Sequence, residues 1–142
     1  MILYHSSSVD HMPGTILLPR CNYESRWGNC GFYQVLEALR PNRKPSHNRS
    51  VFLCLSEEDL DYVDGETDFY FRVKTEGELS IHDMHWSTEI TCLIDDLGLS
   101  TQDCIRDKSI IDAAKKYWDG VASENPVWEV LVNSAKIISK IE

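Results

Sequence analysis

A run of branched apolar residues near the C-terminal end constrains the fold of this chain most strongly. Residues 128–137 read Trp-Glu-Val-Leu-Val-Asn-Ser-Ala-Lys-Ile, and β-branched side chains in such a run are typical of a buried strand. The run begins with a carboxylate, Glu129. A charge so close to a buried strand is costly unless it is paired or used in chemistry. Glu129 is therefore a candidate functional residue. The alternative is that it is the last solvated residue before the strand enters the core.

The composition predicts one soluble domain, residues 1–142. Hydrophobic residues make up 42% of the chain, which is ordinary for a globular protein. Five cysteines without a C-x-x-C pair argue against a disulfide framework or a zinc site and favour the cytoplasm. No membrane-spanning run and no secretory signal are expected. The net charge of −9 argues against a broad phosphate-binding surface, although cations cluster in residues 40–49, the basic loop.

The periodicity of the remaining chain predicts an α+β protein. Residues 20–30 have no clear period and are predicted to form a loop. His82 and His85 lack a third ligand and a helical context, so we do not predict a metal site there. The predicted strands are 2–5, 50–55, 68–74 and 79–86, and the predicted helices are 31–40, 56–63, 87–97 (closed by Gly98) and 101–119 (closed by Gly120).

Two distant motifs carry a resemblance to known proteins. The Glu129-Val-Leu-Val segment, followed by residues 137–141, resembles the last strand of ADP-ribosyltransferase-like families, including DNA-modifying toxins of toxin–antitoxin systems. In those families the Glu that opens this strand is catalytic. Tyr4-His5, at the end of the first predicted strand, resembles the Tyr-His pair of the diphtheria-toxin type, whose His hydrogen-bonds the NAD ribose. Here Ser6 stands where the family usually has Gly.

A third motif lies in the middle of the chain. Residues 50–56 and the helix predicted after them resemble the segment in which one aromatic on a strand and one on a helix sandwich the nicotinamide ring. Phe52 and Tyr62 are the corresponding residues. Nicotinamide in NAD is a planar cation, and aromatic faces attract such cations. The alternative is that both aromatics are ordinary core residues.

The resemblance implies an ADP-ribosyltransferase-like fold, in which two small antiparallel sheets form an NAD cleft with flanking helices. It implies that Glu129 and His5 are catalytic and that NAD is consumed as a substrate. No metal is expected, since nicotinamide leaves as a neutral molecule and the carboxylate meets the charge on the sugar. In the basic loop, Arg49 is a candidate phosphate ligand because Arg binds phosphate bidentately. The predicted NAD contacts are Tyr4, His5, Ser6, Arg49, Phe52 and Tyr62.

The implied activity is NAD-dependent mono-ADP-ribosyl transfer to a macromolecule, protein or nucleic acid, with release of nicotinamide, as in toxins and phage-type effectors. One alternative is a small-molecule transferase of the rifampicin type. Another is a catalytically inactive module that binds NAD or ADP-ribose, although the presence of both His5 and Glu129 argues against it. The basic loop favours a macromolecular acceptor, unless its cations serve only solubility. No membrane partner is expected.

Overall fold

The computed structural model describes residues 2–21, 23–61 and 68–142, apart from the side chain of Arg26. The strands in these residues are β1 (Ile2–Ser7), β2 (Ile16–Leu17), β3 (Val51–Cys54), β4 (Phe69–Lys74), β5 (Ser80–Asp83), β6 (Trp128–Val132) and β7 (Ala135–Ile141). The helices are α1 (Tyr23–Trp27), α2 (Gly31–Ala38), α3 (His85–Leu97), α4 (Thr101–Cys104) and α5 (Lys108–Trp118). Two short 3-10 turns cover His47–Arg49 and Glu57–Asp59.

All these strands belong to one antiparallel sheet with the order β2-β7-β4-β1-β3-β6-β5. The expectation of an α+β fold is confirmed. The expectation of two separate sheets is wrong for the part of the chain that the structure describes. The reason is that β1 pairs with β4 on one side and with β3 on the other, and so joins the two halves into a single sheet.

The order of the last two strands requires the sheet to curl. Only Asn133 and Ser134 separate β6 from β7 along the chain, yet β3, β1 and β4 lie between them in the sheet. In a flat sheet these four strand spacings would amount to about 19 Å. The three Cα–Cα steps from Val132 to Ala135 can reach only about 11 Å. The two ends of the sheet therefore bend toward each other.

Each face of the curled sheet has its own apolar core. On one face the helices pack against the strands, and Leu36 of α2, Ile90 of α3 and Trp118 of α5 are all buried there. The buried residues of the other core come from strands alone, and examples such as Leu53 and Phe71 are fully buried. No helix among the described residues contributes to this second core, so the curled sheet and its loops cover it; the ring of the loop residue His11, for example, contacts that of Phe71. This face is therefore the concave one.

Two segments that the periodicity predicts as single elements are divided in the structure. The predicted helix at 101–119 is interrupted, because the Asp107 carboxylate accepts hydrogen bonds from the backbone N–H groups of Ser109 and Ile110 (3.0 and 3.1 Å) and begins a new helix there. The predicted strand at 128–137 turns at residues 133–134 and becomes β6 and the start of β7.

Other local predictions agree more closely with the structure. Gly98 closes α3 in the left-handed conformation (φ 62°), which glycine adopts without strain. The Ser56 hydroxyl accepts a hydrogen bond from the backbone N–H of Glu58, as expected of an N-cap, and Glu57–Asp59 form a 3-10 turn. The end of the helix predicted at 56–63 lies outside the described residues. By contrast, the prediction of a loop over residues 20–30 is wrong at Tyr23–Trp27, which form α1. Within the described ranges, no helix has the length and apolar character needed to cross a bilayer.

Candidate functional site

The central feature of the site is a gap in the sheet between β1 and β3. These two strands pair at one register position, Tyr4 with Cys54. Beyond it, the carbonyl oxygen of Phe52 accepts its hydrogen bond from the His5 side chain, at 2.9 Å from Nδ1. A carbonyl can only accept, so Nδ1 carries the proton and the ring orientation is fixed. The pairing of the two strands therefore ends at Tyr4, and His5 and Ser6, the next two predicted NAD contacts, lie beyond it.

A cleft of about 170 Å³ opens at this gap. His5 from β1 and Phe52 from β3 both line it, as do Leu17 from β2, Tyr23 from α1 and His47 from the first 3-10 turn. His5 and Phe52, two of the predicted NAD contacts, thus face one cavity although they are 47 positions apart in the chain.

Stacked rings form one wall of the cleft. The rings of Tyr23 and Phe52 are 4.9 Å apart between centroids and 11° from parallel. The ring of His47 lies 5.1 Å from that of Tyr23, at an angle of 23°. Offset stacking of this kind is favourable for aromatic rings, and a planar ligand could add another ring to the stack. Tyr23 itself covers a face of Phe52, the residue that we predict to bind nicotinamide.

Glu129 is buried beside the cleft, and its side chain is on the helix-covered face of the sheet. Glu129 pairs with Cys54 of β3 and with His82 of β5. Cys54 in turn pairs with Tyr4 of β1. These four residues therefore form one row across the sheet, in which Tyr4 and Glu129 are two strands apart. Two strand spacings correspond to about 10 Å between Cα atoms. Glu129 is only 5% exposed, so the alternative that it is a solvated residue before the strand is wrong.

His5 and Glu129 occupy different faces of the sheet. Successive side chains of a strand point to opposite faces. Because Tyr4 shares a row with Glu129, His5 projects to the concave side. His5 reaches the cleft since the sheet is open between β1 and β3. Glu129 does not line the cleft. His47 does, and its Nε2 lies 3.8 Å from Oε1 of Glu129, so His47 connects the cleft with Glu129.

A series of hydrogen-bonded polar groups, of which Tyr117 and His47 are buried and Glu37 and Arg40 half-buried, holds the Glu129 carboxylate. The Tyr117 hydroxyl of α5 donates a hydrogen bond to Oε1 of Glu129 and lies 2.7 Å from Nε2 of His47. Nδ1 of His47 is 2.8 Å from Oε1 of Glu37, which also accepts a hydrogen bond from the His47 backbone N–H at 3.0 Å. Arg40 pairs with the other oxygen of Glu37 at 3.2 Å. α2, α5 and β6 are thereby joined through His47.

The helices and loops that carry these groups are fixed by further buried hydrogen bonds. The indole N–H of Trp118 donates to the carbonyl of Leu36 at 2.9 Å and ties α5 to α2. The Asp83 carboxylate accepts from the backbone N–H groups of Ser123 (2.7 Å) and Val127 (3.1 Å) and so fixes the segment that leads into β6. Burial raises the pKa of Asp83, but these hydrogen bonds outweigh it and hold the pKa below its usual value.

The neighbours of Glu129 in its row are not nucleophiles. Burial, with the nearby Asp59 and Glu129 carboxylates, raises the pKa of the Cys54 thiol to about 12, so Cys54 is a neutral thiol. Burial lowers the pKa of His82 to about 4, and its two ring nitrogens face the carbonyl of Tyr117 (2.7 Å) and the hydroxyl of Ser80 (2.6 Å). His82 is thus a neutral core residue.

The remaining predicted residues are dispersed. Tyr4 is half-buried against the helix-covered core, and Ser6 is buried on β1. Arg49 is exposed and lines a surface hollow with Arg40 and Lys44, outside the cleft. Tyr62 lies outside the described residues, so its role as the second nicotinamide-stacking aromatic stays a prediction. Among the residues that are described, no group of His, Cys, Asp and Glu side chains is arranged to hold a metal ion.

Sequence patterns do not single out His47, Glu37 or the hydroxyl of Tyr117. The apolar face of α5 predicts that the Tyr117 ring is buried, and it is. Its hydroxyl has a polar partner only because β6 and the first 3-10 turn meet α5 in three dimensions.

No protein-family model matches this chain, and neither does any curated protein.

Proposed function

We propose that this chain is an NAD-dependent mono-ADP-ribosyltransferase that modifies a macromolecular acceptor and releases nicotinamide. The observation that carries this proposal is the gap between β1 and β3, where His5 and Phe52 line one cleft and the Glu129 carboxylate lies one imidazole ring away. An ADP-ribosyltransferase-like fold is part of the same proposal. The five cysteines are all free thiols, which fits work in the reducing cytoplasm.

In the proposed reaction the nicotinamide ring of NAD stacks in the aromatic wall next to Phe52. The bond between nicotinamide and ribose then breaks through an oxocarbenium-like transition state, in which positive charge builds on the sugar. Glu129 accepts a hydrogen bond from the ribose 2′-hydroxyl, and this interaction strengthens as the charge grows, so it stabilises the transition state more than the bound substrate. His5 positions the ribose, and the acceptor then captures the sugar.

The size of the cleft bears on how NAD enters. Pockets for whole ligands enclose roughly 300–1,000 Å³, whereas this cleft encloses about 170 Å³. That volume suits one planar ring rather than a dinucleotide. We therefore propose that nicotinamide alone fills the cleft, next to or in place of the Tyr23 ring, while the rest of NAD extends over the surface toward the acceptor. Arg49 remains a candidate for the phosphates on that path.

The proposal of a macromolecular acceptor is supported by the basic loop. Arg40, Lys44 and Arg49 line one surface hollow on a chain whose net charge is −9. Arg43 is 68% exposed at its side chain and pairs with Asp119 at 3.5 Å, an arrangement that contributes little to stability. Cations that gather on an otherwise acidic surface are suited to phosphates or to an acidic patch of a partner.

One observation favours a second candidate, a catalytically inactive module that binds NAD or ADP-ribose. Glu129 is 5% exposed and its carboxylate is engaged by Tyr117. A carboxylate that remained closed off in this way could not reach the ribose. The second candidate therefore predicts NAD binding without nicotinamide release.

Glu129→Gln tests both candidates, because Gln keeps the shape of Glu and removes its charge. If the carboxylate acts in the transition state, kcat for nicotinamide release should fall about 100- to 1,000-fold, with the dissociation constant for NAD changed less than about threefold. Chromatographic assay of nicotinamide and calorimetric titration with NAD provide the two numbers. The matched control is Glu58→Gln, the same change at an exposed position.

The outcomes separate cleanly. A parent protein that binds NAD but releases no nicotinamide supports the inactive module. A Glu129→Gln variant with the activity of the parent would show that the assignment of Glu129 is wrong.

A further inference from the structure

Glu37, His47, Tyr117 and Glu129 form a polar cluster next to the cleft, and the proposed reaction uses only Glu129 of the four. His47 is 2% exposed, and Tyr117 is completely buried. Polar groups are retained at such positions when their hydrogen bonds are satisfied, and an incomplete network is costly. Three contacts link the four side chains in series, from α2 through the first 3-10 turn and α5 to β6. The number of protons they need can be counted.

Each of the three contacts requires one proton. The Tyr117 hydroxyl has a single proton and two neighbours, Glu129 and His47. If the hydroxyl donates to Glu129, then Nε2 of His47 must donate to the hydroxyl oxygen. Because Nδ1 must also donate, to Glu37, His47 is then an imidazolium. If the hydroxyl donates to Nε2 instead, the Glu129 carboxyl group must hold the proton. Both arrangements contain the same number of protons.

The charges around His47 favour the imidazolium form. Burial lowers the pKa of His47, but hydrogen bonds and charge from Glu129 and Glu37 outweigh it and raise the pKa above its ordinary value. Burial likewise raises the pKa of Glu37, and the hydrogen bonds from His47 outweigh it and lower the pKa. Burial raises the pKa of Tyr117 well above its usual range, so Tyr117 stays a phenol. Among the described residues, the titratable groups that face His47 are Glu37, Glu129, Tyr117, Tyr23 and Tyr33. Arg40 pairs with Glu37, and His82, which is influenced by Lys44, stacks on Tyr117.

We propose that His47 is a positioning residue for the reaction. Held by Glu37, the His47 imidazolium donates to the Tyr117 hydroxyl, which in turn donates to Glu129, and so keeps that carboxylate ionised and oriented at the edge of the cleft. His47 also lines the cleft and stacks on Tyr23, so its position depends on the same wall that receives the planar ligand. This inference rests on the ADP-ribosyl transfer proposed above.

Turnover should depend on pH in a defined direction. The pKa of His47 is raised in the folded protein, so the imidazolium is present below that raised pKa and is lost as pH rises through it. One of the three contacts that link Glu37, His47, Tyr117 and Glu129 then lacks a proton, so the Glu129 carboxylate is no longer held in its orientation. We expect kcat for nicotinamide release to fall along an alkaline limb at the folded-state pKa of His47.

The experiment measures kcat for nicotinamide release against pH in the parent protein, Glu37→Gln and His47→Gln. Glu37→Gln removes the anion beside Nδ1, so the pKa of His47 falls and the alkaline limb should move at least about one unit toward lower pH. His47→Gln places a non-titrating amide donor next to Tyr117, so the limb should disappear. Glu58→Gln, at an exposed site, should keep the limb of the parent.

A purely structural role for His47 would change stability without moving the limb. Circular dichroism checks that each variant is folded, and ¹⁵N resonances of labelled histidine report both ring protons and the titration midpoint directly. If the parent releases nicotinamide and Glu37→Gln leaves the limb and the His47 midpoint unchanged, this inference is overturned alone. If the parent releases none under any condition, the proposed function fails and this inference fails with it.

Discussion

Replacing Tyr117 by phenylalanine removes one hydroxyl group from the middle of the buried polar chain and leaves the ring in place. The ring stacks on His82, with centroids 4.6 Å apart, and it remains available for that contact. What is lost is the hydroxyl group, whose oxygen lies 2.7 Å from Nε2 of His47 and whose O–H donates to Glu129. The substitution therefore isolates the hydrogen bonds from the packing.

The expected loss of stability follows from the two bonds removed. Hydrogen bonds to charged groups contribute about 1.5–3 kcal/mol each, and a buried partner left unpaired costs more than a solvated one. His47 and Glu129 face each other at 3.8 Å, so their opposite charges offset part of the loss. We expect Tyr117→Phe to lower the free energy of unfolding by about 2–4 kcal/mol. For a chain of this size that corresponds to a fall in Tm of roughly 5–15 °C.

Urea denaturation at neutral pH, followed by circular dichroism, measures the change, and Tyr70→Phe is the matched control. The Tyr70 hydroxyl donates to Asp61 in an exposed setting, so its loss should leave the denaturation midpoint near that of the parent. A Tyr117→Phe protein as stable as the Tyr70→Phe protein would mean that the hydrogen bonds of the Tyr117 hydroxyl contribute nothing to stability. The assignment of an imidazolium at His47, which depends on those hydrogen bonds, would then be wrong.

The other predictions concern binding and the acceptor. His5→Ala should weaken NAD binding and turnover, because the ring that fills the gap at Phe52 is lost, whereas His85→Ala at an exposed position should change neither in calorimetric and kinetic assays. Replacing Arg43 and Lys44 together by Ser should reduce modification of the acceptor and spare NAD hydrolysis. If the acceptor is nucleic acid, modification should also fall steeply with salt, and an unchanged double variant would favour a small-molecule acceptor.

Local chemistry predicts local structure well in this chain. The strand at β3, the helix at α2 and the left-handed closure at Gly98 are all visible in the sequence, because periodicity and capping act over a few residues. The break at Asp107 is missed for a related reason. The apolar period continues on both sides of it, and only the capping geometry of the Asp107 side chain reveals the interruption.

The sheet and the site depend on contacts that sequence periodicity does not carry. Nothing in residues 128–141 indicates that the two strands there occupy distant places in one sheet. His5 and Phe52 could be predicted as cleft residues from resemblance, and both line the cleft. The partners of Glu129 could not, since His47 and Tyr117 are 70 positions apart and meet through tertiary packing. A histidine in a loop and a tyrosine on a helix are common in any protein, so their residue types alone do not indicate a functional site.

The places of β6 and β7 in the sheet have a consequence for synthesis on the ribosome. β6 completes the sheet between β3 and β5, and β7 completes it between β4 and β2. Until residues 128–141 emerge, β5 and β2 have no neighbours in the described sheet, and β3 and β4 each present an open edge to solvent. Open edges invite pairing with other chains, and contacts between distant segments form slowly. The nascent protein is therefore exposed to misassembly until residues 128–141 have been synthesised, and a chaperone that shields strand edges would assist its folding.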